Sequence, residues 1–318
     1  MDTSGSGSGA AMSSAVLGSG RTGLRPDRLR TWVRRQSRSW FALPSILLIA
    51  IFFGAPFLAN VIFAFLRWTS YSSTLSWTGL GNFTEALRLG ILLQAIRVTV
   101  IYALISMLVQ NAAGLGFAKA LQTGNRADQV FRSVFFIPVL FSPLAAGYIW
   151  AAALQPHGPV NSIIGAVAPG FEYDWLGHPT SALVAVAVID GWKWSGLATT
   201  VYVAGLNRIP RQMIEAARLD GAGAWRRFWG VEFPLLAPAF TFNLVVTLVG
   251  SFSAIDIVFS MTGGGPGTAT SVLNVELYSQ YSGGLFGMAS ALGFVITLMV
   301  IIVAVPLIAA LRRREVEM

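Results

Sequence analysis

Long apolar stretches dominate the chain, and six of them are long enough to cross a membrane as helices. Crossing about 30 Å of hydrocarbon takes about 20 helical residues. The six stretches lie at 41–66, 93–121, 131–154, 180–206, 236–261 and 286–311. Gly, Pro, Ser and Thr interrupt each stretch, as they do in polytopic membrane helices. The pattern predicts an all-α polytopic membrane domain over 41–311, between a disordered basic tail at 1–40 and a short segment at 312–318.

Composition agrees with a membrane protein. Apolar residues make up 54% of the chain, charged residues only 11%, and the mean hydropathy is +0.64. An ordinary soluble domain carries about 25% charged residues, so the composition argues against a soluble enzyme. The net charge of +8 is interpreted as a topology signal and not as nucleic-acid binding, because basic residues mark one face of a membrane protein.

The distribution of Lys and Arg predicts the orientation. Most of the 22 basic residues fall in the N-terminal tail, between spans two and three, in the loop at 207–235 and at the C-terminus. The opposite side holds only Arg67, Arg88 and Arg97. The positive-inside rule then places both termini and the 207–235 loop in the cytoplasm. The arginines of the tail either fix this topology alone or also bind anionic lipid headgroups.

The sequence lacks the residues that several kinds of catalytic and binding site require. The chain has no Cys, which excludes disulfides, thiolate metal sites and a Cys nucleophile. Neither Lys119 nor Lys193 stands in a phosphate-binding Gly-rich loop, so ATP chemistry would need another polypeptide. His157 and His178 both fall in the loop at 155–180, and we interpret them as loop residues. We therefore predict no catalytic residue, cofactor site or metal site in this chain.

Polar and aromatic residues inside the spans are candidates for a substrate path. Ionisable residues within spans are expensive and mark function by default. Asp256 falls in span five, while Asp190 and Lys193 lie three residues apart in span four, where they can pair on one helix face. The candidate path residues are Asn243, Ser253, Asp256, Tyr148 and Trp192. Helix packing for the serine and an interfacial belt for the aromatics are the alternative interpretations. For Asp256 the alternative is a structural role at the Gly263–Pro266 turn.

The 207–235 loop is the most informative segment. Pro210 suits a first helical turn, Gly221 suits a helix end, and a second short helix is predicted from Ala224 to Gly230, with Pro234 stopping it. The expected product is a compact helix–Gly–helix unit that inserts into a groove on a partner. The alternative is an amphipathic loop lying on lipid headgroups.

The spacing in this loop resembles a known family. Glu215-Ala216-Ala217, then Gly221, then Val231-x-Phe233-Pro234 is similar to the Glu-Ala-Ala loop of binding-protein-dependent ABC importer permeases. The family has Ile and Leu where this chain has Val231 and Phe233, and both changes keep the position apolar. Ile209-Pro210 and the Thr262-to-Pro266 run with its paired glycines resemble the sugar and glycerol-phosphate branch.

The resemblance implies a type I ABC importer-like permease fold and a permease subunit for a sugar or related polyol. It implies that Glu215, Ala216, Ala217, Asp220, Gly221 and Pro234 couple the chain to an ATPase. The implied partners are a second permease subunit in a heterodimer, two ATP-binding subunits that hold ATP and Mg²⁺, and an extracytoplasmic substrate-binding protein. The implied location is a bacterial or archaeal plasma membrane, with lipid contacts and no nucleic acid.

Two other functions compete with this interpretation. A secondary carrier or channel would act without an ATPase and would show an inverted repeat. A membrane-embedded enzyme would show clustered catalytic residues at membrane depth.

Overall fold

The computed structural model describes residues 43–72, 74–122 and 125–312. The tail expected at 1–40 and nearly all of the segment at 312–318 lie outside these residues. The chain divides into two units after Pro56. Helix α1 (Leu43–Ala64) crosses this division and contains a π-helical segment at Ala50–Gly54. In the first unit, the apolar side chains of the described residues are exposed, as in Phe52 and Phe53, which suits a lipid-facing helix.

Helices make up most of the second unit. They are α2 (Gly81–Arg88), α3 (Ile91–Ala120), α4 (Arg126–Leu140), α5 (Pro143–Ala153), α6 (Pro159–Val167), α7 (Pro179–Leu206), α8 (Arg211–Leu219), α9 (Ala224–Leu235), α10 (Ala237–Phe252), α11 (Asp256–Thr262), α12 (Leu273–Ser282) and α13 (Phe286–Arg312). The structure adds one short antiparallel ribbon to the predicted all-α architecture. It pairs two strands of two residues each, β1 (Leu66–Arg67) and β2 (Ser76–Trp77). The fold class is therefore all-α, as expected.

The predicted spans correspond to long helices or to bent helix pairs. Among the described residues, α1, α3 and α13 are each long and apolar enough to cross a membrane, and two bent pairs raise the number to five. Helix α7 matches the predicted fourth span and is about 42 Å long at 1.5 Å per residue, but Asp190 and Lys193 lower its hydropathy. The prediction from apolar runs therefore located the helices well and did not anticipate their bends.

The third predicted span is a bent pair and not a straight helix. Helices α4 and α5 meet at 96° across Phe141 and Ser142. Pro143 cannot donate a backbone hydrogen bond and keeps the preceding residue out of the helical region, and Ser142 is extended, with ψ 138°. The hydroxyl of Ser142 accepts from the amide of Ala145 at 3.3 Å, so it caps the new helix.

The region around the fifth predicted span differs in two respects. Helix α10 ends at Phe252, and Asp256 begins the separate helix α11. The prediction that Pro234 stops the second loop helix was wrong, because α9 continues to Leu235 and bends by 72° into α10. A π-helical turn at Phe228–Glu232 precedes Pro234, and such a turn accommodates a residue without an N–H group.

Helices α3 and α7 form the central pair of the second unit, and small residues let them approach closely. A Cβ atom built on Gly114 of α3 would lie 2.7 Å from Cβ of Ala198 and 3.1 Å from the backbone nitrogen of Thr199 on α7. On α7, Gly191 is packed equally tightly against Val109. An apolar cluster at one end of the pair joins Ala118, Leu206, Ile209 and Leu236, so the 207–235 loop is attached to these helices.

We predict that Gly114→Ala destabilises the protein by about 1–3 kcal/mol, because the added methyl group overpacks the contact with α7. Gly116→Ala is the matched control, since nothing lies within 4 Å of a Cβ at Gly116 and Ala favours the helix. Thermal unfolding in detergent should show a lower midpoint for Gly114→Ala alone. Equal midpoints for the two variants would contradict the close approach of α3 and α7.

Candidate functional site

Hydrogen-bonded polar side chains connect α3, α7 and α10 within the predicted spans. Ser106 donates to a carboxylate oxygen of Asp190 at 2.6 Å, and the amide of Gln110 donates to Ser106 at 2.9 Å and to Ser251 at 3.4 Å. Two further bonds lie alongside these. Tyr202 donates to Asn111 at 2.5 Å, and Asn111 donates to Thr247 at 2.9 Å. Buried polar groups in a membrane need such internal partners, so the bonds hold the three helices in one arrangement.

A cavity of about 260 Å³ lies beside this network. It is lined by Gln110, Pro143, Asp190, Trp194, Leu197, Ala198, Asn243, Val246, Thr247, Gly250, Ser253, Ala254, Ile255, Asp256 and Ile257. The α7 residues recur at helical spacing, as do those of α10, so each helix contributes one face. Amide, hydroxyl and carboxyl groups surround the cavity together with one indole ring.

The wall of the cavity includes a break in helical structure at 253–255. Ser253 donates to the carbonyl of Val249 at 2.9 Å, and the amide of Asn274 donates to the carbonyls of Phe252 at 3.0 Å and Ala254 at 3.4 Å. Non-helical backbone at membrane depth is tolerated where it lines a cavity or is bonded by protein. The break leaves Ser253 and Asp256 exposed.

The cavity collects three of the five candidate path residues. Asn243, Ser253 and Asp256 line it, and Asn243 also donates to the carbonyl of Ala198 at 3.0 Å. Tyr148 and Trp192 lie outside the lining; Trp192 packs edge-on against Trp150, with ring centroids 5.4 Å apart. Sequence reasoning missed Gln110 and Thr247, although Gln110 stands out as a polar residue inside an apolar span.

Asp190 and Lys193 do not form the pair that their spacing suggested. Within the described part of the chain, no ion pair joins them at 4.0 Å or less. The carboxylate of Asp190 is bonded to Ser106, and the ammonium of the fully buried Lys193 lies 3.9 Å from the ring centroid of Trp194. A cation–π contact therefore stabilises the lysine.

A second candidate site is the 207–235 loop, whose two helices have well-defined ends. Gly221 has φ +76°, which favours glycine. The amide of Gly221 donates to the carbonyl of Arg218 at 3.0 Å, and the amide of Ala222 donates to the carbonyl of Ala217 at 3.0 Å. These two bonds form a Schellman motif that terminates α8. Pro210 stands at the position before α8 and not within its first turn.

The candidate coupling residues divide into an exposed set and one buried member. Glu215, Ala216, Asp220, Gly221 and Pro234 are exposed, whereas Ala217 is buried. Two large apolar side chains that sequence reasoning did not select are also highly exposed, Leu219 at 89% and Trp225 at 76%. Exposed aromatic and aliphatic side chains next to charged ones are typical of a docking surface.

The loop is also connected to the end of α3 by charged groups. The carboxylate of Glu232, whose side chain is 2% exposed, forms ion pairs with Lys119 and with Arg227. Removing one partner from a buried ion pair leaves an uncompensated charge and is strongly destabilising. This cluster therefore restrains α9 against α3.

No group of three or more His, Asp or Glu side chains suited to a metal ion occurs among residues 43–72, 74–122 and 125–312. His157 contacts Glu172 at 3.3 Å, and Nδ1 of His178 lies 2.9 Å from the carbonyl of Asp174. Both histidines thus have local partners in the loop before α7.

Comparison with known proteins gives a consistent result. Residues 110–316 match the model of the family described as binding-protein-dependent transport system inner membrane component. The sn-glycerol-3-phosphate transport system permease protein UgpA of Agrobacterium fabrum is 32% identical over 265 residues, which cover 82% of this chain and 89% of that protein.

Two further similarities extend over most of the chain. The probable starch degradation products transport system permease protein AmyD of Thermoanaerobacterium thermosulfurigenes is 28% identical over 279 residues, covering 87% of this chain and 94% of that protein. A bacterial ABC transporter involved in the import of the acidic polysaccharide alginate has a chain with a TM-score of 0.76 and 19% identity, with 90% of this chain and 99% of that chain covered.

We predict that Asn274→Ala destabilises the protein by about 1–3 kcal/mol, since two carbonyls at the break in the cavity wall lose their donor. Ser279→Ala, at an exposed position of the same helix, is the control and should leave stability within about 0.5 kcal/mol. Chemical unfolding followed by tryptophan fluorescence measures both. An unchanged midpoint for Asn274→Ala would show that the break does not depend on this amide.

Proposed function

The chain belongs to the family of binding-protein-dependent transport system inner membrane components, and we propose on this basis that its cavity carries a sugar or a related polyol. Membership makes the chain a multi-pass membrane permease subunit of an ABC importer and not an enzyme. The secondary carrier or channel that the sequence left open is not favoured by any of these similarities.

The observation that carries the proposed substrate is the chemistry of the cavity wall. Hydroxyl recognition needs a few polar groups that both donate and accept hydrogen bonds, and sugar rings stack on aromatic faces. Gln110, Asn243 and Ser253 offer such groups, and Trp194 offers the face. The names of UgpA and AmyD refer to glycerol phosphate and to starch degradation products, which supports a carbohydrate or polyol.

The charge of the wall favours a neutral substrate. Asp190 and Asp256 line the cavity, and none of the described residues in its lining is Lys or Arg. A phosphate or carboxylate group would be repelled by these carboxylates. This chain would therefore contribute groups that bind hydroxyls and not groups that bind anions. The second permease subunit would complete the path.

The exposed surface of the 207–235 loop is the proposed ATPase contact. Glu215, Ala216, Asp220 and Gly221 would touch the ATPase, with Leu219 and Trp225 as apolar anchors. Ala217 would act from inside the loop, because it is buried, and Pro234 would shape α9. The Schellman motif at Gly221 ends α8 sharply, which supports a short, rigid docking unit.

The proposed assembly contains a second permease subunit in a heterodimer, two ATP-binding subunits that hold ATP and Mg²⁺, and an external substrate-binding protein. The charge distribution supports cytoplasmic termini and a cytoplasmic 207–235 loop. Closure of the ATPase pair would then switch the membrane subunits between inward- and outward-open states. The expected location is the plasma membrane of a bacterium or archaeon.

The proposal is tested by affinity purification of the tagged chain from its native membrane. We expect an ATPase with a phosphate-binding loop to co-purify and to hydrolyse ATP. Recovery of the chain without any ATPase, together with solute uptake that is independent of ATP, would establish a carrier or channel instead.

We predict that Gly221→Pro and Glu215→Lys each abolish transport while membrane insertion is unchanged. Pro cannot adopt φ +76° and cannot donate to the carbonyl of Arg218, and the Lys variant reverses an exposed charge in the proposed contact. Gly223→Ala is the control, because Gly223 has φ −63° and open space around it. Co-purified ATPase and ATP-driven uptake are measured, and normal uptake by both variants would refute the coupling role.

We predict that Ser253→Trp lowers uptake by at least about tenfold, because the indole occupies the cavity and blocks the path. Ser279→Trp, which places the same side chain on an exposed position of α12, should retain uptake. The probes are radiolabelled maltose, sucrose, glycerol and glycerol 3-phosphate, supplied to cells that express the complete transporter. Transport of glycerol 3-phosphate in preference to the neutral compounds would contradict the substrate class.

A further inference from the structure

A buried carboxylate lies at the junction of the 207–235 loop with the membrane helices. Glu232 belongs to the π-helical turn of α9, and its side chain is 2% exposed. One of its oxygens pairs with the ammonium of Lys119, and the other accepts from Nε of Arg227 at 3.3 Å. Both oxygens therefore have cationic partners, one of them on a different helix.

Lys119 is held on several sides. It stands in the last turn of α3 and donates to Glu232 and to Oε1 of Gln122, the latter at 2.9 Å. Its ammonium also lies 5.7 Å from the ring centroid of Phe228, which belongs to the same π-helical turn as Glu232. The end of α3 is thus joined to α9 by an ion pair and by a cation–π contact.

The other attachment of the loop is of a different physical kind. Ile209 and Leu236, at the two ends of the loop, pack with Ala118 and Leu206, and Ile214 of α8 packs against this cluster. Apolar contacts are non-directional, so they hold the loop close without fixing its direction of movement. Charge-assisted hydrogen bonds are directional and define how α9 sits on α3.

We propose that the Lys119–Glu232–Arg227 cluster is the joint through which movement of the 207–235 loop is passed to α3. The inference rests on the proposed coupling of the loop to an ATPase. The backbone from α9 into α10 bends by 72° at Leu236, so these two helices do not form one straight rod along the axis of α9. Glu232, Lys119 and Arg227 are positioning residues in this scheme and touch neither ATP nor substrate.

Helix α3 connects the joint to the cavity. Gln110 lies nine residues before Lys119, about 13 Å along the helix axis at 1.5 Å per residue. Its amide bonds Ser106 and Ser251 and lines the cavity. A shift of α3 would move Gln110 and alter the cavity wall, which gives the joint a measurable consequence.

The absence of Cys from the chain allows a readout that needs no identified substrate. A single Ser253→Cys variant places a thiol in the cavity wall, and a maleimide probe reports its accessibility. The complex with its co-purified ATPase is reconstituted in nanodiscs, and the labelling rate is compared before and after addition of ATP and vanadate. Because the labelling rate follows the fraction of complexes whose cavity is accessible, a coupled complex should change this rate by at least about fivefold, the lower end of the range for coupled sites.

We expect Glu232→Gln, added to this reporter, to retain the ATPase and to lose the response to ATP. The charge-reversed pair Lys119→Glu with Glu232→Lys, combined with Arg227→Gln so that the new cation at position 232 meets no like charge, should restore the response, because the attraction between α3 and α9 is re-formed. If the cluster only stabilised the fold, Glu232→Gln would lower the thermal stability. It would not then lose the response of the cavity to ATP while keeping the bound ATPase. Arg126→Gln, an exposed cation at the start of α4, is the matched control and should respond like the parent.

A normal response in Glu232→Gln would overturn the joint, as would a reversed pair that binds the ATPase without responding. If Glu232→Gln fails to accumulate, the double variant Lys119→Cys with Glu232→Cys is used instead, without the Cys reporter at position 253. A thiol-reactive cross-linker then replaces the ion pair by a covalent link between α3 and α9. The complex is placed in vesicles that hold the substrate-binding protein, and the rate of ATP hydrolysis is measured before and after cross-linking. We expect the substrate-binding protein to stimulate hydrolysis only after cross-linking. Equal rates of hydrolysis before and after cross-linking would overturn the joint. A parent complex that holds no ATPase would instead overturn the proposed function, and the joint with it.

Discussion

Polar side chains buried at membrane depth impose the main constraint on this structure, because no water is available there to satisfy them. Ser106, Gln110 and Asn111 of α3 meet Asp190 and Tyr202 of α7 and Ser251 and Thr247 of α10 through hydrogen bonds. Each bond removes a group that hydrocarbon would penalise. The arrangement of the three helices follows from this requirement, and the cavity lies where the remaining polar groups face open space.

The sequence predicted the helices and the loop well because both depend on local signals. Apolar runs about 20 residues long located the spans, and Gly221 marked a helix end that the structure forms with two Schellman bonds. The burial of Ala217 beside an exposed Ala216 was not predictable, since it depends on how α8 packs against the rest of the loop. Likewise, Gln110 and Ser251 are 141 residues apart in sequence, and no local pattern indicates that they meet.

The two breaks within predicted spans, which the sequence did not predict, share a cause. The third and fifth predicted spans were drawn as continuous because hydropathy does not record direction. Pro143 and the extended Ser142 turn the chain by 96°, and the break at 253–255 separates α10 from α11. At the first break Ser142 accepts from the amides of Ala145 and Ala146, and at the second the amide of Asn274 donates to the carbonyls of Phe252 and Ala254. Bonding of backbone groups by protein is what makes such a break acceptable at membrane depth.

The buried charges of α7 also bear on how the protein is made. Asp190 and Lys193 each oppose insertion of a lone helix by about 3 kcal/mol, and the carboxylate of Asp190 accepts a hydrogen bond from outside α7. Its bonded donor, Ser106, belongs to α3, which leaves the ribosome earlier. A hydrogen-bond donor for the carboxylate of Asp190 has therefore already been synthesised when the fourth span inserts, and pairing of this kind lowers the cost of burying an ionisable group in a membrane.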